Sequence, residues 1–578
     1  MLDKSFEDLK GLMRVSLGDR PPDILITDVA ILEVFSSAIF TGHIWIYKHW
    51  IAFVGDKKPP VTESTTIIDG KGKIAVPGYV DAHGHTDLFY NPSTFADAVI
   101  TRGATTVFSD SDDLIDSIGV AGFMEVLKVS DAFAVKYLWG VPATYPPYPD
   151  VEGGDLFPAE DLLNLLRESK ECAAMSELSS YLRILRNEDD ILQKVFLAKS
   201  LGKNIEGHTL GASYDKLNAL AAAGITSCHE SISGADLRNR VRLGFYTMIR
   251  HSSIRSDLEE LCSVARVLPK DSIMLVSDGI FANDLSEKGY MDFVIQDAIN
   301  FGLDPIDAIK MSTLNPARYL KVDGDVGSIA PGRIADILLV NDITQPTPDT
   351  VIEKGRIAAK DGELLSPSAP FPEIGNQYNP YVFTAVAPDE FQVPRRDFNL
   401  VPVIDVVDRT VTRRVDLPFR NCQQLLLPEK ENDVRKVLYT RRDKKKWGRG
   451  FVRGIGADIG GIATTVAHET HGLMVLGFDD DDMAMAGNVV LEMGGGIVLV
   501  DHRTILCKLA LPLGATMSYL RIEELAREIK KINKTLQDRG SKLDDPFLTI
   551  TYLTLTTIIE MRITVSGVYD VKKAAIVF

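Results

Sequence analysis

Eight short apolar runs alternate with longer stretches of helical periodicity, near residues 75–81, 104–109, 133–140, 173–177, 203–207, 224–228, 244–249 and 272–277. Short strands punctuated by helices are the pattern of a parallel α/β sheet. Eight such units predict a TIM-like (β/α)8 barrel, whose chemistry sits at the C-terminal ends of its strands. Those ends hold a set of metal-capable side chains. They are His83 and His85 in VPGYVDAHGHTD, Glu177 in AAMSEL, His208 in IEGHTL, His229 in GITSCHE and Asp278 in IMLVSDG. Four of the ten histidines are among them.

The barrel pattern is bracketed by β texture. Before it stands DILITDVAILEVFSSAIFTGHIWIYKHWIAFVGD, and after it stand GSIAPGRIADILLVND and TVIEKGRIAAKDGEL. A closed barrel has no ninth place, so these segments are expected to pair with one another as a small discontinuous β-sheet domain. The expected division is a helix and the first part of that domain over 1–73, the barrel over 74–324, and the second part over 325–366. A C-terminal mixed α/β domain follows over 367–578. MLDKSFEDLKGLMRVSLGD reads as an amphipathic helix without the apolar core of a signal peptide. SPSAPFPEIGNQYNPY reads as a linker, RIEELAREIKKINKTLQDRG as an amphipathic helix, and RRDKKKWGRGFVRG as a solvated basic loop.

At 45% hydrophobic and 25% charged residues, the 578-residue chain has the composition of a globular protein. A net charge of −17 weighs against a nucleic-acid binder. No stretch approaches the run of about 18 apolar residues that spans a membrane. Cys172, Cys228, Cys262, Cys422 and Cys507 are few, odd in number and far apart. They are expected to be free thiols in a reducing cytoplasm. The expected partner is a small-molecule substrate, and the expected assembly a homo-oligomer, a dimer first.

Side chains alternate along a strand, so His83 and His85 project the same way and suit one metal. Glu177 is placed to bridge two cations, although acids also favour helix N-termini. His208 and His229 complete a second site. Asp278 is expected to bind the first metal and take the proton of the attacking water; capping a helix is its other reading. Two divalent ions held this way lower the pKa of a bound water. Mixed nitrogen and oxygen ligands suit Mn, Fe or Zn alike. Glu230 is a further catalytic candidate, touching substrate or orienting a ligand. Arg250 is expected at the substrate or beside an acid, and Asp87 and Phe89 at the substrate. Asp110, Asp112 and Asp113 suit helix capping somewhat better than an acidic, metal-attracting patch. His468 and His471, in VAHETHG, are equally open to a structural and an active-site role.

These residues in this order resemble the amidohydrolase superfamily, and within it the bacterial and archaeal adenine deaminases. PGYVDAHGH, EGHTLGASYDKLNALAAAGITSCHE and LRNRVRLGFYTMIR are similar to that family's barrel segments. GIATTVAHETHGLMVLGFDDDDMAMAGNVVLEMGGGIVLV is similar to its C-terminal domain. The resemblance covers nearly the whole chain. It implies two metals, with His83, His85, Glu177, His208, His229 and Asp278 as ligands. It also implies hydrolysis of adenine to hypoxanthine and ammonia.

Three loops depart from the family pattern. HGHTDLF replaces HxHIESS, DSDD replaces DPHE, and DGIFAN replaces DDRHP. Leu88 and Phe89 would favour a more apolar substrate than a purine. Deamination of adenine or a related amino-heterocycle is therefore the leading expectation. Hydrolysis of a cyclic or acyclic amide comes second, and a non-catalytic relative third.

Overall fold

The computed structural model describes residues 3–374, 377–395, 400–419, 421–422, 424–558 and 560–578. Eight parallel strands carry the barrel: β1 (Tyr79–Gly84), β2 (Ala104–Asp110), β3 (Lys136–Val141), β4 (Cys172–Leu178), β5 (Asn204–Gly207), β6 (Ser227–Cys228), β7 (Tyr246–Arg250) and β8 (Ile273–Val276). They form a ladder of five, β1 to β5, and a ladder of three, β6 to β8. The Asp278 amide donates to the His83 carbonyl at 3.1 Å, joining β8 to β1. The Thr226 amide donates to the Ile205 carbonyl at 2.9 Å, joining β5 to β6. Strands covered on both faces must be apolar throughout. Val80, Phe108, Leu138, Met248 and Met274 accordingly share one buried cluster with Trp45 and Trp50 of a second sheet.

That second sheet has nine strands drawn from both sides of the barrel segment. Ile74–Pro77 is its seam, parallel to Ile24–Glu33 and antiparallel to Ile337–Val340. The run expected as a single first barrel strand, 75–81, is therefore two strands in two sheets. The change of partner falls at Gly78. Its amide donates to the Asp336 carbonyl at 3.0 Å, and the next amide, of Tyr79, donates to Gly103 at 2.9 Å. A Cβ at Gly78 would lie 2.3 Å from the Thr105 hydroxyl, so only glycine fits the crossing. A buried ion triad ties the two sheets together. Lys136 of β3 stands 2.8 Å from Asp336 and 3.1 Å from Glu353.

The N-terminal helix, Phe6–Leu17, is capped by Ser5 and buries Leu12 and Val15. No described helix is long and apolar enough to cross a membrane. The C-terminal domain is built on an eight-stranded sheet, with the helix Asp480–Glu492 packed on it. Met517–Ser518 pairs in parallel with Phe89–Tyr90, just beyond β1, and the Asn91 amide side chain donates to the Ser518 carbonyl at 2.8 Å. These bonds fasten the domain over the barrel mouth.

Two segments differ from their sequence reading. The basic run is a β-hairpin between Arg435–Arg441 and Gly448–Arg453, with Arg442 buried against the carbonyls of Asn379 and Gly514. The proline-rich stretch, apart from residues 375 and 376 outside the described set, packs on the barrel. Phe371 and Ile374 are buried, and the Ser368 amide donates to Asp97 at 2.7 Å. In each case partners distant in sequence supply what local composition does not reveal. Cys172, Cys228, Cys262 and Cys507 are free and buried; the Cys422 side chain lies outside the described residues.

Candidate metal centre

His83 lies in β1 and Glu177 in β4; His85, His208, His229 and Asp278 follow the ends of β1, β5, β6 and β8. Register shifts interrupt the ladders at Asp81/Gly84 and Met175/Leu178, where His83 and Glu177 emerge. Such irregularities re-aim side chains that strict alternation would misplace. Asp278 adopts the left-handed conformation, φ 49°.

The six side chains converge. Glu177 Oε2 lies 3.2 Å from His208 Nδ1, 3.2 Å from His229 Nε2 and 3.7 Å from His83 Nε2. Asp278 Oδ1 lies 3.3 Å from His83 Nε2 and 3.7 Å from His85 Nε2. Three overlapping sets drawn from these six have ligand atoms within 4.8 Å of one another, His83/His85/Glu177, His83/His229/Asp278 and Glu177/His208/His229, and a fourth joins His83 to Asp110 and Glu206. His83 Nε2 and His208 Nε2 are buried without a hydrogen-bond partner. Buried polar atoms are normally satisfied, so these open nitrogens among carboxylates fit a divalent cation.

The electrostatics agree with the geometry. Burial alone would raise the Asp278 carboxyl, but His229, Arg250 and the nearby His83 and His85 rings hold it well below the ordinary range. Burial and the neighbouring His83 push His229 down to about 3, which keeps it a neutral, ligating imidazole. Burial would lower His208 too, yet Glu230 and Glu177 raise it to about 10. A negative field that draws a proton to His208 also draws a cation.

Three residues not singled out from the sequence support this cluster. Glu206 Oε2 lies 2.8 Å from His83 Nδ1, and the Tyr319 hydroxyl donates to the other oxygen at 2.7 Å. With Nδ1 engaged, Nε2 of His83 is free to ligate. The signal was present, because Glu206 and His208 stand two apart at the end of one strand. Asp81 accepts from the His83 amide at 3.2 Å and from the Tyr290 hydroxyl at 2.5 Å. Glu469 approaches from the C-terminal domain, a placement that no local pattern announces. Replacing Glu206 with Gln is expected to weaken metal binding by about 10–100-fold. A competition titration with a fluorescent chelator measures this, and an unchanged affinity would remove Glu206 from that role.

Other expected site residues take different places. Arg250, expected at the substrate or beside an acid, turns its fork on two acids, donating to Glu230 at 2.5 and 3.0 Å and to Asp278 at 2.9 Å. Glu230, expected to touch substrate or orient a ligand, is 2% exposed, and its Oε1 lies 3.5–3.6 Å from His229 and His208. Asp87 is buried; its Oδ2 accepts the Leu114 amide at 2.9 Å in the first turn of the helix after β2, and its Oδ1 has no partner among the described residues. Phe89 packs between Phe281 and Phe547 in the contact between barrel and C-terminal domain, and Leu88 is fully buried. The expectation of an apolar substrate drawn from these two residues therefore loses its basis. The three aspartates after β2 are not side-chain caps, since the helix N-cap, Ser111, makes no side-chain cap bond. Asp110 accepts the Glu177 amide at 2.9 Å, Asp112 accepts from the Ser176 hydroxyl, and Asp113 meets His471 at 2.9 Å. Partners in β4 and the C-terminal domain outcompete the local helix end.

Residues 74–358 match the model of the amidohydrolase family, and residues 409–575 that of the adenine deaminase C-terminal domain. The chain is 32% identical to an adenine deaminase of Moorella thermoacetica, over 98% of this chain and 96% of that one. It is 30% identical to an adenine deaminase of Desulforamulus reducens, over 98% and 97%. Among solved structures, an N-acetylglucosamine-6-phosphate deacetylase from Pasteurella multocida covers 58% of this chain and 100% of that one, at 16% identity and a TM-score of 0.47.

Proposed function

We propose, for a chain that belongs to the adenine deaminase family, that it hydrolyses adenine to hypoxanthine and ammonia. The observation that carries this reading is the convergence of His83, His85, Glu177, His208, His229 and Asp278 at the barrel mouth. His83, His85 and Asp278 would hold one divalent ion and His208 and His229 another, with Glu177 between them. Mn, Fe and Zn all suit these donors. Bound there, two such ions supply Lewis acidity that lowers the pKa of water and stabilises developing charge.

The remaining work falls to the chain. Asp278 Oδ1 accepts the proton of the attacking water as the new C6–O bond forms. It returns a proton to the amino nitrogen as the C6–N bond breaks and ammonia leaves. Arg250, bonded to Oδ2, keeps this carboxylate ionised and fixed in orientation. Glu206 sets the tautomer of His83, and Glu230 holds Arg250 through two bonds. The free, buried cysteines support a reducing compartment such as the cytoplasm.

The test is ammonia release by Mn- or Fe-loaded protein across adenine, other aminopurines, pterins and cyclic amides. Adenine is expected to be the best substrate, with kcat/KM at or above about 10⁴ M⁻¹s⁻¹. Elemental analysis should find two ions per chain. Turnover of a cyclic amide, without ammonia release from adenine in metal-filled protein, would overturn the reading.

A further inference from the structure

The loop 465–471 of the C-terminal domain reaches the barrel mouth at Asp113. His471 Nε2 lies 2.9 Å from Asp113 Oδ1, and His468 Nδ1 lies 3.7 Å from Oδ2. The His468 ring stacks on Tyr552, with centroids 4.2 Å apart and planes 5° from parallel, and its amide donates to the Thr551 carbonyl at 3.1 Å. The ring is thus clamped from three sides. Yet its Nε2 is buried without a hydrogen-bond partner, in a residue only 6% exposed. The next residue, Glu469, accepts from the Thr557 hydroxyl at 2.7 Å through Oε1.

Both residues lie within electrostatic reach of the metal cluster. The charge of His85 acts on His468 and on Asp113. Glu177 and His208 act on Glu469, and burial together with Glu177 raises that carboxyl to about 8. Tyr552, beneath His468, feels both Asp113 and Asp278. Burial keeps His468 down at about 3, so the ring is neutral. Nδ1 is the ring nitrogen nearest Asp113, at 3.7 Å, and a proton there leaves Nε2 free to accept. An acceptor built and left unmet in this way asks for an N–H group from a ligand.

We propose that His468 Nε2 and Glu469 Oε2 form the wall of the active site opposite the metal ligands, hydrogen-bonding the ring N–H and adjoining nitrogen of a free heterocyclic base. This rests on the deaminase reading and names the residues that select its substrate. A site whose buried polar groups are matched to a ligand N–H rejects the analogue lacking it, because those groups are then left unpaired. The C-terminal domain thereby distinguishes the free base from its N-substituted form.

The experiment compares wild type, His468→Phe, Glu469→Gln and Thr557→Val, all Mn-loaded. His468→Phe keeps the stack on Tyr552 and removes both ring nitrogens, Nε2 and the Nδ1 that lies 3.7 Å from Asp113. Kinetics are measured on adenine and 9-methyladenine, hypoxanthine binding by calorimetry, and metal content on each variant. His468→Phe and Glu469→Gln are expected to lower kcat/KM for adenine at least tenfold, chiefly through KM. Hypoxanthine binding should weaken by the same factor, with metal content little changed. On 9-methyladenine, which lacks the N–H but keeps the adjoining nitrogen, His468→Phe should change turnover little, whereas Glu469→Gln should lose about as much as on adenine. Thr557→Val, which leaves His468 Nε2 and Glu469 Oε2 in place but frees the Glu469 side chain, should show a smaller loss of the Glu469→Gln kind. For His468→Phe, equal losses on the two substrates, or no loss on either, would overturn the assignment. If wild type binds hypoxanthine yet deaminates nothing, the deaminase reading fails and the binding series alone decides the assignment. If wild type does neither, both fall.

Discussion

Asp278→Asn is expected to lower the deamination rate by about 10²–10⁴-fold while leaving the fold unchanged. The size follows from losing the group that takes the water proton. The amide cannot accept that proton, and its NH2 must face either the Arg250 guanidinium, 2.9 Å from Oδ2, or the His83 nitrogen, 3.3 Å from Oδ1. The fold is spared for two reasons. Asn has the same shape, and it is among the few residues that tolerate the left-handed backbone found at 278. Steady-state kinetics, melting temperature and metal content should be read together. Wild-type turnover in a metal-filled variant would take Asp278 out of the proton transfer.

Lys136→Met is expected to destabilise the protein by roughly 3–5 kcal/mol, the cost of leaving the buried Asp336 without its cation while Glu353 keeps Lys354 at 3.2 Å. Lys136, Asp336 and Glu353 are each less than 10% exposed, and the lysine is the only residue of β3 that pairs with acids of the outer sheet. Burial raises the Asp336 carboxyl, and Lys136 is the main force opposing it. Replacing Asp336 with Leu as well should recover part of the loss, because an apolar pair of similar volume in place of an ion pair is often neutral. A double-mutant cycle on urea midpoints measures the coupling. Strict additivity of the two single changes would show that the triad is not a unit.

The six-residue cluster was readable because strand ends in a barrel are ordered along the chain, so residues spread over 196 positions, from His83 to Asp278, could be assigned to one rim. The eight strands were readable because doubly buried strands carry continuous apolar runs. The residues around the ligands were harder to read. Glu206 was overlooked although it stands two residues before His208, since a carboxylate in a strand has no signature until its partner's ring nitrogen is located. For Phe89 and Asp87 the sequence shows only a loop beyond His85; the partners they take in the fold, Phe547 and the Leu114 amide, come from other elements. His468 and Glu469 depend on a packing between segments some 350 residues apart, which no local periodicity encodes.

The seam strand Ile74–Pro77 imposes a timing on synthesis. One of its two neighbours, Ile24–Glu33, has already been made when it leaves the ribosome. The other, Ile337–Val340, has not. At about 5–20 residues per second, the unpaired edge waits roughly 15–50 s for its partner. An open edge of this kind is a template for pairing with other chains. Nascent chains stalled before residue 340 should therefore recruit chaperones or aggregate, whereas those stalled beyond residue 364 should not.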